Sequence, residues 1–482
     1  MAAVIVFACP ALWEFLRGSS LTSITGADFW WHLQTGLEIL RTHSLPHTGW
    51  FSQSAAQPWI ASSWLYDVRI AGWYQLLGIR FLPVLALLAK FFLAVLMFLL
   101  AGGLRGRFWA ALALSVIAQC LLWQMPPLPV FCSVLALAIE LILLLELRSR
   151  GSRWAFLSLP ALFLAWANLD SHFVYGILIL LLFVAAWLAE EKLSATASRK
   201  SKEKRMPGIL LLAIAAASIV ATCITPYGWQ PWATFWSNTT SAANVYFPDY
   251  LSLRFRGPQD YVLLLLAMAA FLTLGMRRSR DLFQIALLVL CTVTAFHAQR
   301  DAWLLVLAAV AVIANPAPEE AASCERRPAS GESRATFLVA AGVSLVLLLA
   351  VVVTRMPRRD AVMAKVAESY PVAAADYIRQ HQLPGPLFNS FPWGGFLTWY
   401  LPEYPAALDG RTDLYGPDFN VHYAKVMNFG EHYSTFPPLN EAGVILLEKN
   451  SHMAIALASV PTFKTVYSDN VAVVLVREQG QP

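Results

Sequence analysis

FLPVLALLAKFFLAVLMFLLAG, residues 81–102, carries one charged side chain, Lys90, in 22 consecutive positions. A helix rising 1.5 Å per residue covers about 33 Å over that length, enough to cross the hydrocarbon core of a bilayer. Further apolar runs fall at 2–16, 108–123, 128–147, 154–168, 172–189, 208–225, 260–276, 282–297, 302–315 and 336–354. Of the 482 residues, 58% are hydrophobic and only 13% charged, and the mean hydropathy is +0.55. A soluble domain carries roughly twice that charged fraction, so a disordered chain, a coiled coil, a collagen and a nucleic-acid-coating protein are all excluded. Eighteen Trp and 28 Phe suit long lipid–water boundaries, where aromatic rings settle at headgroup level. The chain reads as a mainly α, polytopic membrane protein with about eleven transmembrane helices.

Charges between the runs set the orientation. The segments 103–107, 148–153, 190–207, 277–281 and 316–335 hold 17 Lys and Arg, whereas 124–127, 169–171, 226–259 and 298–301 hold 3. By the positive-inside rule the first set is cytoplasmic. Eleven helices then run from a cytoplasmic N-terminus to an extracytoplasmic C-terminus, with residues 17–80 as a long first external loop. The opening MAAVIVFACPALWEFL lacks the basic start of a signal peptide. Val4 to Leu16 reads as a short first transmembrane helix, as a start codon placed too far downstream would leave it. The segment 62–78 contains Asp67 and Arg69; as a span it would invert the charge pattern, so it reads as an amphipathic helix in the interface. EEKLSATASRKSKEKR, 190–205, reads as a charged cytoplasmic linker.

After RMPRRD, 355–360, the pattern shifts to short elements. Helices are expected over Ala361–Glu368 and from Pro371, with that proline in the first turn. Strands are expected at Leu387–Asn389, Gly443–Leu447 and Val471–Val476. The chain thus divides into a transmembrane domain, 1–354, and a small extracytoplasmic α/β domain, 355–482. The six cysteines, Cys9, Cys120, Cys132, Cys223, Cys291 and Cys324, form no CxxC pair and leave the C-terminal domain without a disulfide framework.

Unusual polar residues gather on the external side, where ionisable groups near membrane depth are candidates for function. In ADFWWHLQTG, 27–36, Asp28, His32 and Thr35 share one helical face. A carboxylate beside an imidazole among tryptophans suits a general base; the plainer reading is a helix N-cap followed by interfacial tryptophans. Asp67 in SSWLYDVRIAG is a second acidic candidate, or a surface carboxylate near Arg69. NLDSH, 168–172, is a turn that ends on His172. LSLRFRGP offers Arg254 and Arg256, and FHAQRD offers His297 and Arg300. These arginines suit a lipid-linked phosphate, or simply snorkel to lipid headgroups and pair with neighbours such as Asp301. Asp409, Arg411, Asp413 and Tyr415 in LDGRTDLYG form either a polar pocket or an ion-paired turn. NTT at 238–240 is a three-residue sequon match of low specificity. No Walker loop, GxGxxG, HExxH, GxSxG or CxxC occurs, so no sequence motif supports a metal or nucleotide. The cofactor is unknown, a divalent cation being compatible but unsupported, and no nucleic acid is expected as a partner.

DFWWHLQTG, followed by SLPHTGWFS and PWIASSWL, resembles the opening of bacterial polytopic GT-C-type glycosyltransferase-like proteins. WANLDSHFVYG, TPYGW and HAQRD are similar to later landmarks of that family, and NSFPWGGFLTWYLPEYPAALDGRTDLYG to its C-terminal extracytoplasmic domain. The resemblance implies inverting transfer of a sugar from a polyprenyl-phosphate donor to an extracytoplasmic glycan, lipid or protein acceptor at the inner membrane. It gives Asp28 the role of base and makes Asp67 the next acidic candidate. His32 then orients Asp28, and Arg254, Arg256 and Arg300, with His172 and His297, line the substrate site. This chain has Gly49 and Trp50 where relatives often carry an acid, Ser63 in place of Glu, and Asp170 in place of His.

Two rival readings remain. A non-catalytic protein that binds or exports lipid-linked glycans would use the same scaffold. A small-solute transporter would place its polar breaks near the midplane, often in repeated halves; here they crowd one side and no repeat is visible.

Overall fold

Each of the eleven apolar runs is helical in the computed structural model, which describes residues 2–17, 26, 28–104, 107–150, 155–196, 207–315, 331–428 and 430–478. In chain order the helices up to residue 355 are α1 (Ala2–Arg17), α2 (Phe29–Thr42), α3 (Trp64–Leu77), α4 (Phe81–Leu100), α5 (Phe108–Leu121), α6 (Pro129–Arg150) and α7 (Ala155–Leu169). Then come α8 (Phe173–Thr196), α9 (Gly208–Thr222), α10 (Gln230–Thr240), α11 (Pro258–Met276), α12 (Leu282–His297), α13 (Ala302–Ala314) and α14 (Gly331–Arg355). Among the described residues, five helical segments are long and apolar enough to cross a membrane: Trp64–Leu100, Pro129–Arg148, Phe173–Leu193, Pro258–Met276 and Arg334–Arg355. Much of the basic segments 148–153, 190–205 and 316–335, including Cys324, lies outside the described residues.

Two compact units make up the chain. The first comprises Met1–Leu16, Leu85–Phe235 and Phe247–Arg355. Its centre is α13, AWLLVLAAVAVIA, in which every residue from Trp303 to Val312 is buried. A helix that is apolar all round has no face to offer water, so it goes to the middle of a bundle. Here α13 packs against α11 and α12 and touches α5 and α6. The Arg277 guanidinium donates to the Val312 and Ile313 carbonyls at 3.1 and 2.9 Å, satisfying acceptors that the end of α13 leaves open. In contrast, α14 exposes Leu338, Val339, Val346 and Val353, the composition of a lipid-facing surface.

The second unit comprises Arg17–Val84, Trp236–Tyr246 and Met356–Pro482. It begins with α2 crossing α3, and the glycine of HLQTG makes that crossing possible. A Cβ at Gly36 would overlap the Asp67 carbonyl, so only glycine lets the helices approach this closely. The face of α3 that turns inward carries Tyr66, Asp67, Ile70 and Ala71, while Leu76 and Leu77 are exposed. This corrects the simple amphipathic expectation: packing on α2, not hydropathy alone, chooses the buried face. Gly78, at φ +60°, ends α3 before α4 begins.

Beyond Met356 the second unit continues with α15 (Arg359–Ala367), α16 (Val372–Gln380), β1 (Leu387–Asn389), α17 (Gly394–Tyr400), α18 (Thr412–Tyr415) and α19 (Pro417–Asn428). It closes with α20 (Pro437–Asn440), β2 (Val444–Glu448), α21 (His452–Ala458), β3 (Phe463–Ser468) and β4 (Ala472–Arg477). The sheet order is β1-β2-β4-β3, with β1 parallel to β2 and the other pairs antiparallel. Phe388, Leu408, Phe436, Ile445, Leu447 and Leu475 form its core. Pro371 is the N-cap of α16, one position earlier than expected. β3, absent from the sequence reading, is an edge strand with a register shift between Thr465 and Tyr467. Phe463 is its one fully buried residue, so it has no clean apolar alternation to betray it.

The first loop is built into this α/β body. Ser52 pairs with Ala406 as a parallel bridge, and the Gln53 side chain donates to the Leu387 carbonyl at 2.6 Å. Trp30 stacks on Trp399 at 4.6 Å and meets Phe396 edge-on at 5.3 Å. Trp30 is fully buried, so its role is aromatic core packing, not the interfacial belt that its sequence context implies.

Candidate functional site

Asp28 occupies the N-cap position of α2, yet its side chain makes no capping hydrogen bond. Its Oδ1 accepts from Trp31 Nε1 at 3.3 Å. On the other side it lies against Gly410 of LDGRTD, where a Cβ would overlap Oδ1. The carboxylate is therefore lodged in a slot cut by a glycine.

One turn along α2, the buried His32 joins its Nδ1 to Asp67 Oδ1 at 2.6 Å. With Nδ1 donating, a neutral imidazole presents Nε2 as an acceptor. Asp67 is 0% exposed, and its Oδ2 has no hydrogen-bond partner among the described residues. A group so enclosed cannot meet a substrate directly; it acts on its neighbour. The His32 ring stacks on Trp31 at 3.5 Å. The expected link from His32 to Asp28 thus has an intermediate: Asp67 fixes His32, His32 backs Trp31, and Trp31 holds Asp28. Thr35, on the same face, is fully buried.

The slot wall is itself braced. Arg411, 1% exposed, pairs with Asp409 through Nη2 at 2.6 Å and Nε at 3.0 Å. It donates to the Trp50 carbonyl at 2.8 Å and lies 4.9 Å from the Trp59 ring centre. LDGRTD is therefore an ion-paired joint to the first loop and not an open pocket.

A separate cluster forms in the first unit. His172 Nδ1 bonds Asp170 Oδ2 at 2.9 Å, and His172 Nε2 accepts from Arg300 Nη2 at 2.8 Å. Asp170 also accepts from the Ser133 hydroxyl, which accepts from Trp166 Nε1 at 2.6 Å. Arg300 lies over the Tyr250 ring at 4.4 Å, and Tyr175 donates to Asp301 at 2.7 Å. Burial opposes the Asp170 charge, but the His172 imidazole, the Ser133 hydroxyl and the Arg300 guanidinium together hold its carboxyl below the usual carboxylate range. Burial likewise opposes the Arg300 charge, yet Tyr250, Asp301, Tyr175 and Asp170 keep it above the usual value. The Arg300 side chain remains 28% exposed. Its guanidinium is held in place with N–H groups to spare, the arrangement that suits an arriving phosphate.

Arg254, Arg256 and His297 are exposed beside this cluster, outside its hydrogen-bond network. The loop that carries the two arginines is tied to the Arg300 turn by the Gln299 N–H, which donates to the Leu251 carbonyl at 2.9 Å. In the sequence Asp170 reads as a turn residue, and nothing local marks Ser133, Tyr175 or Tyr250. The Asp170–His172 spacing was the available signal; the others come from helices remote in sequence. Among the described residues, no group of three or more His, Cys, Asp or Glu is arranged to hold a metal ion.

Because folding holds the Asp170 carboxyl below its usual range, it links stability to pH. A carboxyl depressed by folding adds stability above its unfolded value, about pH 4, and loses it as pH falls through the folded value. Melting temperatures of wild type and Asp170→Asn should therefore differ most above about pH 4 and converge as pH falls below it through the folded value. A gap that stays constant across that range means the pairing with His172 and Arg300 contributes no charge-dependent stability.

No protein-family model and no curated protein matches the chain. Among solved structures it is similar to ArnT from Cupriavidus metallidurans bound to undecaprenyl phosphate, with 14% identity, 99% of this chain and 98% of that chain covered, and a TM-score of 0.48. The apo state of ArnT from the same organism aligns with 15% identity, 96% and 97% coverage, and a TM-score of 0.43.

Proposed function

We propose that this chain is an integral membrane glycosyltransferase that moves a sugar from a polyprenyl-phosphate donor to an extracytoplasmic acceptor, with inversion at the anomeric carbon. Asp28 takes the proton of the acceptor hydroxyl. The acceptor oxygen forms a bond to the anomeric carbon as the bond from that carbon to the phosphate oxygen breaks, and the electron pair leaves on the phosphate. For Arg300, which His172 and Tyr250 orient, the resemblance of HAQRD implies the donor phosphate as its ligand, and a guanidinium suits the charge that such a leaving group develops. Asp67 and His32 are positioning residues, acting on Asp28 through Trp31. The eleven apolar helices cross the inner membrane from a cytoplasmic N-terminus, leaving residues 355–482 outside.

The observation that carries this reading is the Asp28 carboxylate itself. It stands at a helix start without capping it, packed against a glycine whose added Cβ would overlap its Oδ1. A purely structural N-cap spends its oxygen on the helix backbone; this one does not. The ordered resemblance of DFWWHLQTG, HAQRD and the C-terminal motifs supports the substrate class.

The phosphate assignment has its own test. Loss of a charged hydrogen-bonding group costs about 1.5–3 kcal/mol, so Arg300→Ala should weaken binding of a fluorescent polyprenyl phosphate by about tenfold or more. Arg300→Lys, which keeps the charge without the planar fork, should fall between. Equal affinity in all three proteins removes Arg300 from the donor site.

A further inference from the structure

The second unit holds a cleft of about 510 Å³ for which the transfer chemistry has no use so far. Small-molecule sites typically enclose roughly 300–1,000 Å³. One wall is rigid: Trp393 is buried and donates from Nε1 to the Ser369 carbonyl at 3.1 Å, and Tyr370 packs on Phe396 at 4.9 Å. The facing wall is the turn after β2 together with the β3–β4 turn, fixed to each other by the Lys449 N–H donating to the Val471 carbonyl at 3.0 Å. Gly26, two residues before Asp28, also lines the cleft.

The polar groups on these walls are of mixed kind. Glu368 and Glu448 supply carboxylates, Asn450 and Asn470 amides, and Lys449 an ammonium. Glu368 is itself held by Lys365 at 2.8 Å. With Lys365 on Glu368 and Lys449 next to Glu448, the charges at the cleft balance and favour no ionic ligand. Carboxylates accept from adjacent hydroxyls, and amides donate and accept at once, so the set matches the alternating donors and acceptors of a polyol.

From this cleft and its lining we infer that the C-terminal body binds a neutral, hydroxyl-rich saccharide between the Tyr370–Trp393 wall and the Glu448–Asn450 turn. That this saccharide belongs to the acceptor rests on the transferase reading above, since Gly26 brings the cleft to the chain segment of Asp28. Saccharide binding itself does not depend on that reading.

The test uses the full-length protein in lipid nanodiscs and saturation-transfer NMR. The probes are neutral di- and trisaccharides of glucose, galactose, mannose and N-acetylglucosamine, with a uronic-acid disaccharide as the anionic control. At least one neutral probe should bind. Glu448→Gln, and separately Asn470→Ala on the other turn, should each weaken it by about tenfold, the loss expected for a hydrogen bond worth about 1.4 kcal/mol. Asp28→Asn should bind it as wild type does. Binding by no neutral probe, preference for the uronic acid, or indifference to both substitutions overturns the proposal. Saccharide binding without transfer from any polyprenyl-phosphate sugar would keep the cleft and sink the transferase reading. Transfer that persists with no saccharide bound in the cleft would do the reverse.

Discussion

Asp28→Asn should lower the rate of sugar transfer by about 10²–10⁴-fold, the range that a positioned general base contributes, with little change in donor affinity or melting temperature. The amide keeps an oxygen for Trp31 Nε1, and it is close in size to the carboxylate that now fits against Gly410. What it loses is basicity, so the deficit should fall in kcat and not in donor KM. Gly410→Ala approaches the same group from outside: the added methyl occupies the space of Asp28 Oδ1 and must push the carboxylate away. Its kcat should fall as well, although every catalytic side chain is still present. Asp28→Asn with full activity would remove Asp28 from the chemistry. Normal activity in Gly410→Ala would show that the slot does not position it.

The second large effect is on stability. Arg411 is buried, paired with Asp409, and bonded to the Trp50 carbonyl. Removing one partner of a buried pair strands the other charge and typically costs about 3–5 kcal/mol. Arg411→Ala should therefore lower the melting temperature steeply and separate the first loop from residues 356–482, which protease sensitivity within 48–59 would report. Replacing both partners with apolar residues, Arg411→Met with Asp409→Leu, should recover part of the loss, because the Asp409 charge is no longer stranded without its partner. If the double substitution is as unstable as Arg411→Ala, the damage comes from lost packing on Trp59 and not from the charge.

How far the sequence discloses these features depends on the range of the interactions that create them. The apolar helices are legible because each is a local property of composition: α4 and α13 need no partner to reveal that they avoid water. β1, β2 and β4 are buried strands bounded by turns, and they too read locally. β3 does not, since an exposed edge strand with an irregular register carries no period. The union of the first loop with the C-terminal body rests on pairs such as Ser52 with Ala406 and Trp30 with Trp399, hundreds of residues apart. Spacing along one segment contains no trace of such contacts. The same limit explains the site. Asp28, His32 and Asp67 were recognisable as candidates, but spacing alone joined His32 to Asp28, whereas helix crossing at Gly36 brings Asp67 to the histidine. In the first unit, Arg300 and His172 stood out as residue types, while Ser133, Asp170 and Tyr250 join them only through the folded bundle.

The most direct test of the central claim follows the sugar itself. Full-length protein in lipid bilayers is supplied with polyprenyl-phosphate sugars radiolabelled in the sugar, and label leaving the lipid is measured beside the polyprenyl phosphate set free. The account predicts that wild type releases label and polyprenyl phosphate in equal amounts from at least one donor, and that Asp28→Asn binds the same donor while its label stays on the lipid. Saturable donor binding by wild type with all label retained would contradict it and make the chain a carrier of lipid-linked sugars.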